Sequence, residues 1–348
     1  MTNSNFIFKL LLFCLCCSLP IAISAQSDKK EKSEKEDEEE KDKTFQDIVT
    51  SKAISKAGML SVHAVEDKYY FEVPDSILGR DILAITRLSK TPTGAGYGGE
   101  LANRQVIRFE KGPKEKIFIK VVNFVNVSSD EEQPIHTAVV NSNNHPIVAA
   151  FDVEVARKDT SVLIDVTKFF EGANQAFTVS PFFKQRYKLK GLEKDRSYIE
   201  HINAYPINVE VRTVKTYAVA PPSITPPKPG TPRRTRDLVG GVNSGVLTFE
   251  FNTSMILLPK TPRRPRLFDQ RVGIFANSFT VFDDDQQRSE EQVFTVRWPL
   301  DAKSPADALR QQQGQLIEPK KPIVYYICLL YTSPSPRDAT LSRMPSSA

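Results

Sequence analysis

Short alternating runs that pivot on tight turns constrain this 348-residue chain more than any other feature. Gln105 to Phe109 and Ile117 to Val125 flank Gly112-Pro113-Lys114-Glu115, a strong hairpin signal. Ile147 to Val155 and Ser161 to Val166 flank Lys158-Asp159-Thr160, a second one. Met59 to His63 and Lys68 to Val73 flank Glu66-Asp67; Tyr69 and Phe71 alternate there with Tyr70 and Glu72, so one aromatic row can face a core. Asp81 to Leu88, Ile207 to Val219, Gly245 to Leu258, Val272 to Phe282 and Gln292 to Trp298 continue the strand pattern. Helical signals are short: Phe45 to Ile54, Pro134 to Val140, Phe169-Phe170, Arg196 to Ala204 and Pro305 to Gln313. Hairpin turns outnumber helix-length crossovers. The expected fold class is therefore mainly β (α+β), as antiparallel β-rich modules with a few short helices.

The N-terminus reads as a signal peptide over residues 1–25. Lys9 supplies a positive start, Leu10 to Leu19 is almost wholly apolar, and Ala22-Ile23-Ser24-Ala25 offers cleavage after Ser24 or Ala25. The apolar run is short for a span of about 20 residues, so no stable membrane span is expected after cleavage; a retained anchor is the alternative. Export follows, to the periplasm, the cell surface or the medium. Three of the four cysteines, Cys14, Cys16 and Cys17, lie in this segment, and the fourth is Cys328. An exported chain with no cysteine between them relies on its core and has neither a thiol nucleophile nor a thiolate metal site.

Residues 26–43 form a charged spacer that cannot contribute to a core. The expected organisation beyond it is a small β-rich module over 44–92 and a larger β-rich domain over 93–317, interrupted by a proline-rich loop at 220–236. Proline at that density excludes a central strand or a helix interior. The tail from Cys328 to Ala348 resembles the translation of a sequencing adapter; a natural Ser/Pro-rich tail is the alternative. The chain has 47 basic and 42 acidic side chains. Without Lys9, Arg337, Arg343 and Asp338 the net charge is +3, which gives no reason to propose nucleic acid as a partner.

Motifs for chemistry are scarce. His63, His136, His145 and His201 lie in no short metal-ligand spacing and read as ordinary surface or hairpin residues. No Gly-x-Ser-x-Gly elbow occurs. Asp283-Asp284-Asp285 lacks the spaced ligands and glycine of a calcium loop and reads as a solvated turn. The clusters Arg233-Arg234-Thr235-Arg236 and Arg263-Arg264-Pro265-Arg266 lack interleaved aromatics. No catalytic or metal residue is assigned.

Several longer strings are informative together. Tyr69-Tyr70-Phe71-Glu72-Val73-Pro74-Asp75-Ser76-Ile77-Leu78-Gly79-Arg80-Asp81 is one. Arg196-Ser197-Tyr198-Ile199-Glu200 with Pro206 and Asn208 to Arg212 is another, as are Ser254 to Pro259 and Asp269-Gln270-Arg271-Val272-Gly273. Glu318 to Ile327 completes the set. Together they resemble the N-terminal halves, two domains of unknown function, of the bacterial exported zinc-dependent metalloproteases. The resemblance covers about residues 44–327 and implies that 318–327 begin a truncated catalytic domain of zincin type. In that domain His-Glu-x-x-His would hold zinc and the glutamate would activate its water. None of those residues is in this chain. The resemblance implies an inactive accessory or pro-region-like fragment with no cofactor of its own, zinc and a peptide substrate belonging to the parent. The fragment's partner would be its own missing catalytic domain. The segment around Arg264, Arg266, Asp269 and Arg271 is the candidate inter-domain contact. A stand-alone exported β-rich envelope or binding module is the competing class.

Overall fold

The computed structural model describes residues 44–325 apart from 129, 158, 159 and 221–238. The signal segment with Ser24 and Ala25, the spacer 26–43, nearly all of the proline-rich loop 220–236, and everything from residue 326 on lie outside the described residues.

The elements begin with α1 (Phe45–Ile48), β1 (Ile54–Lys56), β2 (Ser61–Val65), β3 (Lys68–Pro74), β4 (Ile82–Lys90), β5 (Leu101–Lys111), β6 (Lys116–Val121) and β7 (Asn126–Val127). Then come α2 (Pro134–Ser142), β8 (Ile147–Arg157), β9 (Ser161–Asp165), α3 (Thr167–Glu171), α4 (Pro181–Tyr187), β10 (Leu189–Leu192) and β11 (Tyr198–Ala204). The last are β12 (Asn208–Val219), β13 (Val246–Leu257), β14 (Ala276–Val281), β15 (Glu290–Thr295) and α5 (Pro305–Gln312).

The fold is strand-rich and antiparallel, as the hairpin signals require. Twelve strands form one sheet in the order β1-β2-β3-β9-β8-β6-β5-β4-β13-β12-β10, with β11 also on β12. Alternation decides which face is inside. On β12, Val209, Val211, Thr213, Lys215, Tyr217 and Val219 share one face; Ile82, Ala84, Thr86 and Leu88 do so on β4, and Phe249, Phe251, Thr253 and Met255 on β13. The sheet curls around these rows until its ends meet. Met59 N–H donates to the Tyr205 carbonyl at 2.7 Å, and Lys56 Nζ donates to Ile202 O at 3.2 Å and Asn203 Oδ1 at 2.7 Å.

Two apolar clusters fill the interior. One gathers Leu60, Phe71, Ile82, Ile107, Phe109 and Met255 with the Phe169–Phe170–Phe177 aromatics. The other gathers Leu88, Phe183, Tyr187, Tyr217, Phe249 and Phe251. A buried polar layer lies along the same strand faces. In it Thr86 Oγ1 meets Thr253 Oγ1 at 2.9 Å and donates to Phe177 O at 3.1 Å. Lys215, only 2% exposed, donates to the carbonyls of Phe170 at 2.5 Å and Gly172 at 2.8 Å. A lysine there satisfies carbonyls left over at the C-terminus of α3 and complements the helix dipole.

Three features depart from the sequence reading. Arg196 to Ala204 reads as a helix because Ile199 and Ile202 are three apart, yet it contains strand β11. A bulge between Ile199 and His201 puts both isoleucines on the buried face. Helix α4 was not expected. Ser180 caps it by accepting from Phe183 N–H at 3.3 Å, Pro181 opens it, and Lys188 ends it at φ 49°. Phe183 and Tyr187, one turn apart, pack against Phe249. Finally, residues 44–92 do not form a sheet of their own. β3 pairs with β9, and β4 lies between β5 and β13.

Candidate functional site

Beyond β13 the chain forms an arm of different character. β14 pairs with β15 on one side and, in parallel, with β7 on the other; Leu267 bridges to Phe294. Segment 259–275 is irregular and hangs on this ribbon by backbone bonds: Thr295 N–H donates to Arg266 O and Phe268 N–H to Val293 O. The Arg263 guanidinium grips the Asp301 carboxylate with two nitrogens. Ser304 accepts from Asp307 N–H at 3.1 Å and starts α5, with Pro305 in its first turn.

Between the ribbon and α5 lies an open groove of about 1270 Å³, lined by Ile274, Phe275, Val296, Trp298, Leu300 and Ala308, with Arg266, Arg297 and Lys303 among its polar residues. Its apolar residues are not tucked into either core: Phe275 is 89% exposed and Trp298 57%. Leu267, Leu309 and Leu316 are exposed nearby in sequence. Exposed apolar residues gathered at one groove make it the candidate interaction surface among the described residues. The chain then turns back on itself. Ala302 bridges to Pro319, Lys320 N–H donates to Asp301 O at 2.7 Å, and the Tyr325 ring stands 6.4 Å from Trp298.

The four residues expected to make an inter-domain contact divide. Arg266 lines the groove. Arg264 is exposed, and its carbonyl accepts from Arg297 at 2.9 Å. Asp269 and Arg271 are not groove residues; they close on each other. The Arg271 Nε and backbone N–H each donate to Asp269 Oδ1 at 2.9 Å. These bonds hold the Asp269 carboxyl below its usual range and the guanidinium above its own. Sequence reading missed Phe275 and Trp298, because apolar residues in strand-like runs look like core.

The histidines also divide. His136 and His145 line a cavity of about 600 Å³ together with Arg108, Glu110, Lys120 and Glu131. Neither Nδ1 has a hydrogen-bond partner among the described residues. His63, expected at a surface or hairpin, lies on the β2–β3 hairpin and is buried under Phe45. Among the described residues no three His, Cys, Asp or Glu side chains gather as a metal would need.

A family model described as a domain of unknown function (DUF5117) matches residues 99–303. The chain belongs to the DUF5117 family. A second model, also a domain of unknown function (DUF5118), matches residues 42–91. The DUF5118 match therefore supplies α1 and β1 to β4, and the DUF5117 match supplies the strands on both sides of β4. The groove of the arm falls mostly within the DUF5117 match, which ends at residue 303. No curated protein and no solved structure matches this chain.

Proposed function

We propose that this chain is the N-terminal portion of an exported zinc-dependent metalloprotease, accessory to its zinc-dependent peptidase chemistry, and that its arm is the seat of the catalytic domain. The observation that carries the reading is the groove beside Trp298. It is open, sets Phe275 and Trp298 beside Arg266, Arg297, Asp301 and Lys303, and Tyr325 brings the chain to its Trp298 wall. A domain continuing from that point starts within reach of the groove. The strings that resemble the protease family, including Asp269 to Gly273 and Glu318 to Ile327, support the same occupant.

On this reading zinc and the peptide substrate belong to the catalytic domain. Export rests on the signal-like segment ending at Ser24 and Ala25. Among the described residues no helix is long and apolar enough to cross a membrane.

The test begins with the gene. Reading the source locus past the codon for Ile327, from a library free of the adapter, should reveal a frame that reaches His-Glu-x-x-His. A stop soon after that codon, or a long frame without the motif, removes the reading and leaves an exported β-rich binding or envelope module.

A further inference from the structure

Ser55, His63 and Glu72 stand on the neighbouring strands β1, β2 and β3. Ser55 is directly opposite His63, and Glu72 is diagonal to it, two residues beyond His63's partner Tyr70. Val62, Phe71 and Val73 face the core, so alternation puts this trio on the outer face of the sheet. His63 is nevertheless 6% exposed. The Phe45 ring of α1 meets it edge-on at 5.5 Å, and the Arg157 guanidinium lies 4.1 Å over that ring. Ser55 stays exposed at the margin of this cover.

For a neutral His63 the hydrogen-bond partners select one tautomer. Glu72 Oε1 accepts from Ser161 Oγ at 2.7 Å and from Arg157 at 2.9 Å, and Oε2 lies 3.3 Å from His63 Nε2. Burial raises the Glu72 pKa, but the bonds from Ser161, Arg157 and His63 outweigh it and hold the group below the usual carboxylate range. An ionised carboxylate only accepts, so the neutral imidazole carries its proton on Nε2. That leaves the Nδ1 lone pair for the Ser55 hydroxyl, 2.7 Å away. Nucleophile, base and orienting carboxylate thus stand in order, with the two ring nitrogens exchanged relative to the familiar serine triad.

We propose that Ser55 is an acyl-accepting nucleophile, with His63 Nδ1 as its general base and Glu72 as the positioning residue, acting on activated carboxylic esters. Ser55 Oγ bonds to the ester carbon while its proton passes to Nδ1. The adduct collapses, the bond to the leaving oxygen breaks, and that oxygen takes the proton from Nδ1. Water then attacks the acyl-serine, giving its proton to Nδ1, and the proton returns to Ser55 Oγ as the acid departs. Ester and water become acid and alcohol with no other reactant. Ser55 is open to solvent, so the oxyanion forms in contact with water. Losing one preorganised oxyanion donor costs an enzyme roughly 10²–10³ in rate. The substrate class is therefore aryl and similarly activated esters, not amides. The site uses no residue of the arm and stands or falls separately from the docking reading.

The test is labelling of the full chain with a fluorophosphonate probe, mapped by peptide mass spectrometry, alongside release of p-nitrophenol from p-nitrophenyl acetate. Label is expected on Ser55, with a rate that falls in acid, as a general-base mechanism requires. Ser55→Ala should abolish both signals while the chain stays folded by circular dichroism, with a lower melting temperature for the lost bond to His63. Glu72→Gln should slow labelling by roughly a hundredfold and reshape its pH profile. The proposal is overturned if Ser55 stays unlabelled beside a serine hydrolase that labels in the same tube. A pH-independent labelling rate, or ester hydrolysis retained by Ser55→Ala, overturns it equally.

Discussion

The backbone N–H of Met59 donates to the carbonyl of Tyr205 at 2.7 Å, and this bond joins the two ends of the curled sheet. The residue before it is a glycine for a steric reason. A Cβ on Gly58 would sit 2.6 Å from both the nitrogen and the oxygen of Tyr205. Backbone atoms cannot give way as a flexible side chain can. Gly58→Ala should therefore destabilise the fold by about 1–3 kcal/mol. Gly191→Ala, with nothing within 4 Å of its new Cβ, should change stability by less than about 1 kcal/mol. Urea titration of the two variants checks the contrast, and equal midpoints would show that closure at Tyr205 contributes little.

Residues 44–92 and 93–325 should not fold apart. Removing the first segment takes β4 from between β5 and β13 and exposes both edges. Each half made separately is expected to lack a cooperative transition, and the intact chain to unfold in one. Circular dichroism during thermal unfolding decides it; a sharp transition in 93–325 alone would refute the expectation.

Lys215 should give stability an unusual alkaline rise. Burial lowers its pKa to about 8, with Glu171 opposing the shift only in part. A base whose folded pKa lies below its unfolded one is protonated more readily in the unfolded chain, so stability increases as pH climbs from about 8 towards 10.5. Lys215→Met loses this rise and leaves the Phe170 and Gly172 carbonyls without their donor. The variant should be less stable, and the gap should widen by about 2–3 kcal/mol between pH 7.5 and 10. Chemical denaturation across that range measures the gap; a constant gap would mean that the ammonium is not desolvated.

Phe275→Glu should leave the fold intact, because the side chain is 89% exposed and belongs to neither core cluster. A change within about 0.5 kcal/mol is expected. On the docking reading, the same substitution should weaken association with a separately produced catalytic domain by at least about tenfold. Calorimetric titration of the two proteins reads this directly, and unchanged affinity would take Phe275 out of the interface.

What the sequence disclosed followed the range of its interactions. The hairpins that join β2 to β3, β5 to β6 and β8 to β9 were legible because their partners are near in the chain. The bulge in β11 disguised a strand as a helix by turning an interval of three into a single face. The place of β4 was illegible: Leu88 pairs with Phe251, and no local pattern encodes a partner so distant. The Ser55–His63–Glu72 trio was missed for a related reason. Its members lie on separate strands, and cross-strand contact leaves no fixed interval for a motif to capture. In the candidate contact, the arginines were visible as a cluster, but the pairing of Asp269 with Arg271 is a matter of side-chain direction.

The insertion of β4 into the other segment's sheet also bears on inheritance. Recombination between residues 91 and 99 would separate the two matched segments and strip a strand from the middle of the sheet. Either product would carry raw backbone edges that invite aggregation. Selection should therefore keep the two stretches side by side in genomes, as one unit of exchange that passes for two.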